Sequence, residues 1–158
     1  MRQAIKTGVS FGLTSGTITT LGLMIGLYSS TNSRLVVLGG IITIAIADAL
    51  SDALGMHLSE ESRKDTNNKK IWAATVSTFF TKFLYALTFI IPFLFFELAT
   101  AIKIGVVYGL IVLTLLSDYL AKRKRENRKK AIFEHLGIAI LVIVITYFVG
   151  EGIALVFG

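Results

Sequence analysis

The chain has 158 residues, 54% of them hydrophobic and 16% charged, with no Cys and a mean hydropathy of +0.73. A soluble domain is ordinarily about 25% charged, so the composition excludes a soluble globule, and the missing Cys excludes a disulfide scaffold, a thiolate metal site and a Cys nucleophile. The apolar content excludes disorder, and the length suits a single domain, residues 1–158, of an integral membrane protein.

Five apolar stretches approach the roughly 20 residues that cross hydrocarbon as a helix. The first, Gly8 to Tyr28, carries no charge. Gly8, Gly12 and Gly16 recur every four residues, as do Gly22 and Gly26, a spacing that lets helices approach closely within a chain or across a dimer. Ser15 and Thr19 add hydroxyls among them. The stretch is too long for a cleavable signal peptide, and no small-x-small site follows it. The second stretch, Leu35 to Leu58, is interrupted by Asp48 and Asp52. The third, Ile71 to Phe96, is interrupted by Lys82 and is expected to bend at Pro92. The fourth, from about Ile104 to Leu120, is short, and the fifth is Ala131 to Phe157. These runs do not alternate, so the fold class is all-α, with five transmembrane helices rather than a barrel.

The stretch Lys122 to Lys130 holds seven positive residues and one negative, which accounts for the whole net charge of +6. A basic run between two spans fixes topology and meets anionic headgroups of the bilayer. No aromatic or Gly-rich motif accompanies it, so nucleic acid is not an expected partner. Thirteen of the sixteen Lys and Arg residues fall on the side of the N-terminus and two on the other, with Lys82 inside a span. The positive-inside rule then predicts a cytoplasmic N-terminus and an outer C-terminus. No eukaryotic targeting segment is visible, so the expected location is a bacterial or archaeal plasma membrane.

An ionisable side chain at mid-span costs about 3 kcal/mol or more, so each needs a reason. Asp48 and Asp52 are four apart and share a helix face, with Met56 a further turn along. Two carboxylates and a thioether in a row suit a stepwise path for a divalent cation, and two close acids couple metal release to proton uptake. The competing account is structural. Asp48 and Lys82 lie at similar depth and can pair, which would leave Asp52 as the unpaired acid, and a transported ion could displace Lys82 from Asp48. His57 and Glu61, four apart, can form a cytoplasmic docking point for metal, or the helix end is solvated and Glu60 pairs with Lys64. Asp118 with Lys122 reads as a helix-end pair. Glu134, His135 and Glu151 read as interfacial, with Glu151 a weaker candidate for an exit. No Ser/His pair at matching depth, His-Glu-x-x-His or Gly-x-Ser-x-Gly is present, so no enzyme is expected. Leu50 to Leu54 and Leu116 to Leu120 are alike, but five residues are too few to mark a duplicated fold.

Helix one, Leu13 to Leu27, and helix two, Ile46 to Ser59, together resemble the vacuolar iron transporter family in its short prokaryotic form. The Pro92 region and Thr146 to Gly150 look like that family's third and fifth helices. The resemblance implies a five-helix homodimer that exports Fe²⁺, and often Mn²⁺, from the cytosol in exchange for protons, along a dimer-interface path between helices one and two. Asp48 and Asp52 would then carry ion and proton, Met56 would be a soft ligand, and Ser15 and Thr19 hydroxyl ligands. His57, Glu60 and Glu61 would form the cytoplasmic mouth. No cofactor is expected apart from the transported ion. The sequence departs from the family in three places. Ser15 stands where the family has an Asp, and Ser51-Asp52 where it has Ser-Met. Only Ser59 to Lys70 replaces the family's Glu-rich cytoplasmic domain. The rival expectation is a non-transporting membrane scaffold or regulatory subunit in which Asp48 pairs with Lys82.

Overall fold

The computed structural model describes residues 1–64 and 66–158. They form α1 (Arg2–Thr31), α2 (Arg34–Glu61), α3 (Asn68–Thr88), α4 (Ile91–Phe95), α5 (Leu98–Lys124) and α6 (Arg128–Phe157), with no strand among the described residues. α3 and α4 together make one span, so among the described residues five helical segments are long and apolar enough to cross a membrane.

The first, second, fourth and fifth helical spans outlast their apolar runs. The clearest case is α5, whose 27 residues correct the expectation of a short fourth span. Its last turn, Lys122 to Lys124, stays helical because these side chains can reach water while the backbone keeps its bonds. Local chemistry sets the breaks. Asn32 adopts a left-handed conformation (φ 45°) and closes α1. Ser33, Asn67 and Asn127 cap the next starts, their side-chain oxygens accepting from Val36, Lys70 and Lys130 N–H. α3 ends at Thr88, whose carbonyl lies four residues before Pro92. Proline has no N–H for that carbonyl and its ring crowds it, so the helix restarts as α4 at the expected bend.

α1 is the central helix, with α2, α3, α5 and α6 packed around it. Gly8, Gly12 and Gly16 all face α3. A Cβ on Gly8 would collide with the Ser77 hydroxyl and the Ala74 carbonyl, and one on Gly12 would sit 3.0 Å from the Thr78 carbonyl oxygen. Gly22 and Gly26 face Val142 and Thr146 of α6, and Gly109 of α5 receives Leu21. The glycine seams therefore lie within the chain. The large apolar core, with Leu21, Met24, Ile41, Phe89 and Phe93, fills the half of the bundle nearer the α1–α2 turn. The other half is packed by small residues, and there the polar side chains meet.

Candidate functional site

Three helices deliver the ionisable groups to one point. Asp48 and Asp52 are a turn apart on the inner face of α2, Ser15 looks across from α1, and Lys82 enters from α3. Gly12 and Gly16 make this reach available. A Cβ at Gly12 would lie 3.0 Å from Thr78 O and 3.2 Å from Lys82 N, tighter than ordinary contact, and one at Gly16 would lie 3.4 Å from Lys82 Cγ, so the lysine backbone and stem pack closely on α1.

The Lys82 side chain is 2% exposed. Its ammonium lies 2.5 Å from Asp48 Oδ2, bonds Asp52 Oδ2, and donates to Ser15 Oγ at 2.9 Å. The Ser15 hydroxyl in turn donates to Asp52 Oδ2 at 2.5 Å. Asp48 Oδ2 has close charge contact with the ammonium but no aligned hydrogen bond, so it is the less satisfied of the two acids. The expectation that pairing at Asp48 leaves Asp52 free is thus corrected. A helical turn rises only about 5.4 Å, and one ammonium between two such acids reaches both. Two carboxylates against one ammonium leave one formal negative charge, inside a span where charge is costly.

The acids are not sealed off. The Asp48 and Asp52 side chains keep 24% and 19% exposure. A recess of about 610 Å³ between α1 and α2, lined by Leu23, Leu27, Val36, Gly40 and Ala47, ends at Asp48. Its walls are almost wholly apolar, and among the described residues that line it Asp48 is the charged one.

The other sequence candidates are placed differently. Thr19 donates its hydroxyl to the Ser15 carbonyl at 2.9 Å and faces a separate apolar recess beside α6. Met56 is buried against Ala4 and Ala74, a turn beyond Asp52. His57 Nδ1 lies 3.1 Å from Thr75 Oγ1, and its ring makes a T-shaped pair with Trp72, centroids 4.9 Å apart, so α3 holds it. Glu60 is 6% exposed and pairs with Arg63 at 3.0 Å, not with Lys64 as the i+4 spacing suggests. The recess beside it is lined by Arg63, Lys64 and Lys70, a cationic wall that works against cation capture. Glu61 and Glu151 are exposed. Among the described residues no three His, Asp or Glu side chains gather as a ready-made metal cluster.

Three partnerships had no readable signal. Asp118 is held by Arg128 through two bonds of 2.5 and 2.6 Å, which replaces the expected Lys122 pair and clamps the α5–α6 turn. His135 Nδ1 lies 2.8 Å from Ser117 Oγ, which corrects the expectation that no Ser/His pair meets at one depth, because the rotation of α5 against α6 brings them together. The Tyr85 hydroxyl, one turn from Lys82, lies 3.1 Å from that of Thr17. All three join residues on different helices whose relative rotation no spacing rule reveals.

No curated protein matches the chain. Residues 6–71, which span nearly all of α1, the whole of α2 and the linker to α3, match the model of the VIT family. This segment contains Ser15, Asp48 and Asp52, and over it the chain is similar to the VIT family.

Proposed function

We propose that the chain is a metal-ion transporter that exports a divalent cation, Fe²⁺ or Mn²⁺, from the cytosol in exchange for protons, as a homodimer with its N-terminus in the cytoplasm. The observation that carries this reading is the convergence of Asp48 and Asp52 inside a span, with Asp48 at the end of a recess. Hard carboxylate oxygens and the Ser15 hydroxyl suit these ions. The likeness of residues 6–71 to the VIT family supports a metal cargo. The lipid-facing side of α2 beyond the recess is where a second copy would close the path. Met56 is the next donor along α2, and Glu61 the exposed acid at its end.

The test is Fe²⁺ and Mn²⁺ flux into proteoliposomes, with and without an opposing proton gradient, for wild type beside Asp52→Asn. Gradient-dependent flux that falls to the protein-free level in the variant supports exchange through this acid. Unchanged flux in the variant removes Asp52 from the mechanism.

A second reading is favoured by the Lys82 bridge, whose ammonium sits against both acids in the manner of a structural clamp. A non-transporting scaffold or regulatory subunit would need nothing more. It predicts no flux of either ion from folded, oriented wild-type protein.

A further inference from the structure

We propose that Lys82 is a tethered competitor for the cation site, and that its ammonium makes the site selective for divalent over monovalent cations. This rests on the reading of Asp48 and Asp52 as cation ligands. The ammonium stands where the two carboxylates and the Ser15 hydroxyl converge. A cation shared by both acids must take that same position, so cation and ammonium exclude each other by volume and by charge.

The ammonium has the advantage of its tether. The ammonium is covalently attached to a backbone that packs against Gly12, with its stem beside Gly16, so it does not leave by diffusion. Even a flexible tether of moderate length holds its end group at millimolar effective concentration, and a short, packed one holds it higher. A potassium or sodium ion at about 0.15 M offers the acids the same single charge that the ammonium already supplies. It gains nothing that offsets its own loss of hydration. A divalent ion offers twice the charge to a pair of acids that carries two, and it binds carboxylate oxygens directly. Only the divalent ion therefore has a reason to displace the lysine. The filter is built from one side chain, without a ring of ligands or a size-matched cage. Among the described residues, no third His, Asp or Glu joins the pair as an alternative source of selectivity.

The experiment is equilibrium Mn²⁺ binding to the full chain in detergent, with potassium exchanged for a bulky organic cation at constant ionic strength. Wild type is expected to bind Mn²⁺ with an affinity that potassium changes by less than about twofold. Lys82→Met is expected to bind Mn²⁺ about tenfold or more tightly without potassium, and to lose at least that factor when potassium is added. Lys82→Arg, which keeps a tethered cation, is expected to remain insensitive to potassium. Lys82→Ser carries the same expectation as the methionine variant should that variant not fold. A folded Lys82→Met or Lys82→Ser protein with wild-type affinity and no potassium effect overturns the inference and leaves the cation site standing. Absence of Mn²⁺ binding in wild type and all three variants overturns the cation site itself, and the inference with it.

Discussion

Ser15 is the smallest member of the polar centre and the one whose role is easiest to isolate. Its hydroxyl accepts from the Lys82 ammonium and donates to Asp52, so it orients both without adding charge. Ser15→Ala removes two charge-assisted bonds and leaves Asp52 with the ammonium alone. We expect a loss of about 1–3 kcal/mol, read as a lower midpoint of thermal unfolding in detergent. Asp48 and Asp52 stand out in the sequence because ionisable residues inside a span are expensive. Depth arithmetic along two antiparallel helices also brings Lys82 to their level. It cannot say which acid the lysine meets, since a turn is no longer than the reach of one lysine. Glu60 shows the same limit. Its spacing to Lys64 is favourable, yet α2 ends at Glu61, and past that end the chain places Arg63 against Glu60 instead.

At the scale of helices, small residues decide which elements touch. Gly8 abuts Ser77 and Ala74, whereas a Cβ on Gly137 of the outer helix would meet no heavy atom within 4 Å. Gly8→Ala is expected to force α1 and α3 apart at a cost of about 1–3 kcal/mol. Gly137→Ala should be neutral or stabilise by up to about 1 kcal/mol, because only helix propensity changes there. Thermal unfolding of the two variants side by side checks the contrast. The four-residue spacing of the glycines announces a close helix contact, but every helix is a candidate partner until the bundle is assembled. The bend at Pro92 is legible because its cause is local. The true ends of α1 and α5 are not, because polar side chains continue a helix past the hydrocarbon where hydropathy no longer marks it.

The whole molecule presents two contrasting outer surfaces. α6 buries Ala139 and Gly150 and along its middle shows apolar side chains such as Leu141, Val144 and Phe148, as a helix against lipid does. The outer face of α2 shows Ile46, Leu50 and Leu54, each about half exposed, beside the recess that leads to Asp48. If a second copy closes that recess, Leu50→Cys should form a disulfide-linked dimer under mild oxidation while Phe148→Cys should not. The native chain contains no Cys, so each variant carries a single reporter. The same property allows a topology test in intact cells. Glu126→Cys in the basic turn should be protected from a membrane-impermeant thiol reagent, and Asn32→Cys between α1 and α2 should be labelled. The reverse pattern would invert the proposed direction of export.

The sequence alone determined the all-α class, the five spans and the segregation of basic residues to one side. A bilayer admits few solutions, and each leaves a mark in composition and charge that needs no knowledge of neighbours. The residues that belong to the polar centre were also legible, since a charge in hydrocarbon is conspicuous wherever it points. Tertiary structure decided who meets whom. Lys82 bridges two acids and a serine, the glycines of α1 divide between α3 and α6, and Arg128 takes Asp118. Those choices depend on how each helix is rotated and how closely its neighbours approach, and these are set by packing over the whole bundle rather than by any one segment.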